Sequence, residues 1–263
     1  MRQRMTDSDV VAGRWLLGLI AAVAVAAGIY FWTQRGAEEP SPAATTPVAG
    51  EPAGTPPPVE HPVESPAGVP LPVLDESDGE AVSGFARSFP EGQFERLFVG
   101  EDLIRRITVT IDNLPRQKVA ARLRPVRPMQ DGFVAAGPEM EPMLDESNFA
   151  RYRPYVSVLE SVDVGQAVAA YQRLYPLFQQ AYEELGHPSA YFNDRVIDVI
   201  DHLLETPEVR GPMPLARPNV LYEFADPELE ARSAGQKFLI RIGPDNASRV
   251  KAWLRALRAR LVS

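Results

Sequence analysis

Asp194, Asp198, Asp201 and His202 fall within nine residues, and His202 is one of only three histidines in the chain. Carboxylates spaced four and three residues apart share one face of a helix, and three of them beside an imidazole could hold a divalent cation. Asp201 and His202 are the pair that a metal-dependent or hydrolytic reaction would use. The competing reading is the solvated acidic face of an amphipathic helix whose other side, Val196, Val199, Ile200, Leu203 and Leu204, is apolar. His187 sits between Gly186 and Pro188, which suits a turn, and His61 lies in proline-rich sequence.

A second constellation is basic. Arg105, Arg106, Arg116, Lys118, Arg122, Arg124 and Arg127 accompany a single acid, Asp112. Such density can attract phosphate, lipid headgroups or an acidic polymer, with Arg122, Arg124 and Arg127 as its densest part. Pairing with acidic elements such as the 194–208 stretch would explain it equally. A third group is aromatic: Tyr152, Tyr155, Tyr171, Tyr175, Tyr182 and Tyr191 recur across the central helices. Their rings can fill core, or Tyr152, Tyr171 and Tyr175 can line a groove for a peptide or glycan.

Several chemistries are excluded by residue type. With no cysteine the chain has no disulfide, thiolate metal site or thiol nucleophile. No phosphate loop, dinucleotide glycine fingerprint, His-Glu-x-x-His or Gly-x-Ser-x-Gly occurs. No cofactor is implied, and the balance points away from an enzyme.

Helical elements must position these groups. Val164, Val168, Tyr171, Leu174, Tyr175, Phe178, Tyr182 and Leu185 recur at three and four residues, with Asp163 as N-cap and Gly186 as stop. Pro176 predicts a kink or break inside that helix. Further helices are expected from Asn193 to Glu205 and from Pro244 to Leu261, with weaker ones over 92–98, 101–114 and 148–162. Residues 233–242 read as helix or strand, and 122–126, 132–136 and 142–144 as short extended pieces. The fold class is mainly α: a single helical domain with a small extended or β insertion over residues 84–263.

Two segments precede that domain. Residues 15–32, WLLGLIAAVAVAAGIYFW, are 18 residues without a charge, a helix of about 27 Å that matches the hydrocarbon thickness of a bilayer. Arginines bracket it and aromatic rings mark both ends; three arginines precede it, so residues 1–14 belong in the cytoplasm. Ala22, Ala24 and Ala26 would also serve a signal-peptide cleavage site, which would export the domain without its tether. Residues 33–83 then form an acidic, proline-rich linker, with 11 prolines between 36 and 75, a composition that cannot bury enough apolar surface to order itself. Nine acids and no Lys or Arg occur over 36–83, so most of the net charge of −8 belongs to the linker rather than the domain.

Asn148-Phe149-Ala150-Arg151-Tyr152 and the run from Tyr171 to Tyr182, together with Phe192-Asn193-Asp194, Ile200-Asp201-His202-Leu203-Leu204 and Tyr222-Glu223-Phe224-Ala225-Asp226-Pro227, resemble DUF3014, a bacterial domain family of unknown function. Asp112-Asn113-Leu114-Pro115 fits the same pattern. The resemblance covers about residues 85–263. It implies an envelope protein of Gram-negative bacteria with anchor, linker and domain, and transfers no functional residue.

These readings combine into one expectation: a single-pass inner-membrane protein presenting a non-catalytic periplasmic binding domain on a long tether. Its partners would be the bilayer, through Trp15 to Trp32, and an envelope protein or cell-wall component, with no role for nucleic acid. Arg122, Arg124, Arg127, Tyr152, Tyr171, Tyr175, Asp201 and His202 would form the binding surface. The alternative is a periplasmic hydrolase or metal-dependent enzyme built on Asp201 and His202.

Overall fold

The computed structural model describes residues 58–65, 70–118, 123–129, 132–218 and 221–262. The segments expected as N-terminus (1–14) and anchor (15–32), the expected linker up to residue 57 and Arg122 lie outside the described residues. Among those described, no helix is long and apolar enough to cross a membrane.

The domain is mainly helical, as its periodicity predicts, with α1 (Asp78–Ala86), α2 (Gln93–Leu97), α3 (Leu103–Asn113), α4 (Ser147–Ser161), α5 (Val164–Glu184), α6 (Phe192–Leu204), α7 (Pro227–Glu230), α8 (Ala234–Arg241) and α9 (Pro244–Leu261). Helix α5 runs along the core and packs against α3, α1 and α9. Helix α9 in turn covers α6 and α4. Phe178 at the middle of α5 is fully buried between Phe192, stacked at 5.6 Å, and Phe85, edge-on at 6.2 Å. Rings in these arrangements add specific geometry to the large area they remove from water.

Helix α5 starts where its N-cap dictates: the Asp163 carboxylate accepts from Gly165 N at 2.9 Å and Gln166 N at 3.2 Å. It ends before Gly186, whose φ of +102° is open to glycine and costly for other residues. Of the kink or break that the sequence predicts at Pro176, the break does not occur: the helix runs through the proline. The proline is exposed and packing along the rest of the helix holds the turn together. One cost remains, since a proline has no N–H for the carbonyl four residues back, that of Gln172.

Residues 233–242, ambiguous by pattern, form α8, opened by Ser233, whose hydroxyl accepts from Gln236 N. The extended insertion is two small antiparallel ribbons. In one, β1 (Ala135–Ala136) pairs with β2 (Met143–Leu144), as Ala135 opposite Leu144; in the other, β3 (Leu215–Ala216) pairs with β4 (Glu223–Phe224), as Leu215 opposite Phe224. A bridge between Met143 and Pro214 joins them over a small second core of Leu144, Met213, Leu215, Phe224 and Ile240. The second ribbon has no strand signal in the sequence, because two-residue strands give no alternation to read.

The fold begins well before residue 84. Leu74 is buried, α1 supplies Phe85 to the core, and Val63 and Leu71 pack against its edge. The acids that make this stretch look like linker have structural partners. Asp78 accepts from the backbone of Asp102 and Leu103 at 2.9 and 3.0 Å, capping α3; Asp75 pairs with Arg105 and Glu80 with Arg173, both at 2.7 Å. Averaged composition hides such single-residue roles.

A basic groove beside α4

The basic cluster does not form one surface. Arg105 turns to Asp75 and Glu184, and Arg106 donates to the carbonyls of Glu101 and Arg124. Arg116 binds Asp112 at 2.8 Å. Arg124 is buried at 7 % exposure, and burial pushes its guanidinium down to about 9, so it keeps its charge at neutral pH. Only Arg127, of the three arginines expected to bind, is described as exposed; its Nε donates to Glu95 O at 3.2 Å.

The tyrosines divide. Tyr152 is buried, edge-on to Phe238 at 6.4 Å, with its hydroxyl accepting from Arg151 at 2.8 Å. Burial raises its pKa, partly offset by Arg151. Tyr171 is buried elsewhere, donates to Asn193 Oδ1 at 3.2 Å, and is held well above the ordinary value of 10 by burial. Tyr175, half-buried, lies 5.8 Å from Tyr171 and donates to Gln179. Tyr152 therefore fills core, while Tyr171 and Tyr175 stand together beside α6.

Asp201 and His202 point to different partners. Arg258 of α9 forks onto both Asp201 oxygens, at 2.5 and 2.8 Å, the bidentate geometry that a guanidinium favours. His202 Nε2 lies 2.7 Å from Ser233 Oγ, the N-cap of α8. Burial lowers the His202 pKa, Glu205 opposing and Arg195 reinforcing the shift. Among the described residues no three His, Cys, Asp or Glu side chains converge as a metal site would require, so the proposed cation face of α6 is not assembled.

What the fold does assemble is a groove of about 890 Å³ between α2, the 128–134 segment and α4. Gln93, Arg96, Ser147, Asn148, Arg151 and Tyr155 supply its polar groups, and Leu97, Met129, Val134 and Val158 its apolar wall. Its described lining contains two arginines and no carboxylate. Asn148, 1 % exposed, clamps the wall, its amide exchanging hydrogen bonds with Val134 N at 3.0 Å and Val134 O at 2.7 Å. Pro154 within α4 adds a further polar feature. It has no N–H to offer the Ala150 carbonyl one turn back, and both residues are exposed and line the groove. Arg127 stands beside it, its N–H donating to the carbonyl of the lining residue Leu97 at 2.8 Å.

The 148–152, 171–182, 192–194 and 200–204 strings that carry the resemblance lie on α4, α5 and α6. A family described as Protein of unknown function (DUF3014) matches residues 103–258. The chain belongs to the DUF3014 family. No curated protein and no solved structure matches it. In this DUF3014 protein the match opens at the start of α3, so Asn148, Arg151 and Tyr155 of the groove lie inside it while Gln93, Arg96 and Leu97 precede it. Arg96 escaped the sequence reading because it stands alone on a five-residue helix. Arg151 was visible only as part of a matched string. The pairing of Pro154 with Ala150 at four residues was the one available signal.

Proposed function

We propose that the DUF3014 domain is a non-catalytic binding module of the bacterial envelope, carried on a single-pass anchor at residues 15–32 and a proline-rich tether, and that its groove beside α4 takes an anionic segment of an envelope protein or cell-wall component. The observation that supports the groove is its charge. Arg96, exposed on α2, lines a space of about 890 Å³ beside Arg151, which also donates to Tyr152, and an exposed cation on a concave wall attracts anions. The Ala150 carbonyl, denied a donor by Pro154, would accept from a hydroxyl or amide of the same ligand. The charge-free run from Trp15 to Trp32 and its flanking arginines support the anchor and the placement of the domain in the periplasm.

Crosslinking in cells followed by capture tests the groove. Arg96→Glu, a substitution at an exposed side chain, should abolish the captured species that the unmodified chain retains; an unchanged capture profile would remove the groove from consideration. Carbonate washing of membranes and protease access in spheroplasts test the anchor. The chain should stay with the pellet and its domain should be cleaved from outside, and release into the wash would overturn the tether.

A further inference from the structure

Residues 58–65 lie against α5 and the first turn of α6 in an irregular segment that bends at Glu60 and His61. The bend turns two successive N–H groups onto one carboxylate: Glu60 N and His61 N donate to the two oxygens of Asp194, at 3.2 and 2.8 Å. Asn193 Nδ2 donates to His61 O at 2.9 Å. Its amide is fully buried, and its oxygen is engaged by Tyr171 OH, so its nitrogen faces the segment. Farther along, Ser65 Oγ donates to Gln172 O at 3.0 Å. That carbonyl is the one that Pro176 leaves without its helical donor. Val63 packs against the main core between these anchors.

Three of the four anchors read main-chain atoms of the segment, and all the reading groups are held in place by the domain itself. Asn193 is oriented by a buried tyrosine, Asp194 stands in the first turn of α6, and the Gln172 acceptor is created by Pro176. A face with fixed donors and acceptors for peptide backbone is the general form of a peptide-recognition site. The sequence of its occupant is itself doubled: Pro58-Val59-Glu60-His61 is followed at once by Pro62-Val63-Glu64-Ser65.

We propose that the face formed by Gln172, Asn193 and Asp194 is a recognition site for a bent Pro-Val-Glu peptide, and that the chain's own residues 58–65 occupy it in cis and hold it closed. A peptide of the same chemistry in trans competes with the cis segment, whose attachment a few residues away gives it an effective concentration on the order of millimolar. The site is separate from the groove beside α4 and does not depend on it.

The test uses the full chain and a fluorescent peptide with the sequence of residues 58–65. Glu60→Pro with His61→Pro removes both N–H donors to Asp194 while leaving the domain face intact. Fluorescence anisotropy should show the peptide binding this variant at least ten times more tightly than the unmodified chain. Asp194→Ala in the same background should abolish that binding. Equal binding to both chains, no binding to the variant up to about millimolar peptide, or binding that survives Asp194→Ala would each overturn the proposal. Amide exchange in the chain without proline substitutions provides an independent check. The Glu60 and His61 amides should exchange at least tenfold faster in Asp194→Ala than with Asp194 in place, and unchanged rates would refute the contact.

Discussion

Arg195 of α6 grips Asp112 of α3 at two points, its Nε 3.1 Å from the carboxylate and its Nη2 2.7 Å from the backbone carbonyl of the same residue. Asp112 is 4 % exposed and also accepts from Arg116 at 2.8 Å. His187 Nε2 stands 3.9 Å from it, with the imidazole stacked on Tyr182 at 4.5 Å. One buried carboxylate thus fastens the end of α3, the start of α6 and the loop between α5 and α6.

The two arginines should contribute unequally. Arg195→Ala strips a buried carboxylate and a backbone carbonyl of their best donor and should cost about 2–4 kcal/mol. Arg116, with 59 % of its side chain exposed, should cost less than about 1 kcal/mol on the same substitution. Urea denaturation of the two variants checks the order, and equal losses would show that Asp112 does not organise the junction.

His202 should make stability fall as solutions become acidic. Its folded pKa lies below the ordinary 6.5, chiefly because burial disfavours the charged ring. The unfolded chain therefore binds more protons than the folded one just below pH 6.5, and stability rises with pH across that window. The contribution is fully present above pH 6.5 and is lost as pH falls through the folded value. Denaturation between pH 5 and 8 should show this slope in the unmodified chain and a shallower one in His202→Gln, which keeps a polar partner for Ser233.

Gly243 should tolerate no side chain. Its φ is +87°, and a Cβ there would come within 2.6 Å of the Phe149 ring. Gly243→Ala combines left-handed backbone strain with a ring that must move, a cost of about 2–4 kcal/mol. Thermal unfolding should register it as one of the larger losses among glycine substitutions. Gly79→Ala, which meets nothing within 4 Å, should be near neutral or slightly stabilising as a helical replacement.

Phe85 tests where the domain starts. It precedes the family match at 103–258, yet it is fully buried against Phe178. Phe85→Ala should cost about 3–5 kcal/mol, the range for a large aromatic removed from a packed core. A loss under about 1 kcal/mol would return α1 to the linker.

Much of the architecture was readable before any coordinates. The spacing of Val164 to Leu185 located α5, and Asp163 and Gly186 marked its ends, because a cap and a left-handed stop act through neighbours one or two residues away. The same locality explains the errors. Residues 70–83 looked like linker because proline and acid content averages over a window, whereas Asp78 works as a single carboxylate on two amides of α3. Pro176 promised a kink or break because a proline's local cost is fixed, while the packing that keeps the helix continuous comes from helices far off in sequence.

The candidate sites were less readable for a related reason. Arg122, Arg124 and Arg127 cluster in sequence, but of the two described only Arg127 reaches solvent; Asp201 is held by Arg258, 57 residues away. Arg96 and Arg151 line one groove although nothing in their spacing connects them. By itself the sequence determined the family, the helical class, the absence of cysteine chemistry and the contrast between a proline-rich stretch near the N-terminus and a patterned domain, since each follows from composition or local periodicity. Only the tertiary structure decided which charges are paired, what the carbonyls freed by Pro154 and Pro176 meet, and that residues 58–65 lie on Asn193 and Asp194. Those are properties of distance in space, which chain order does not record.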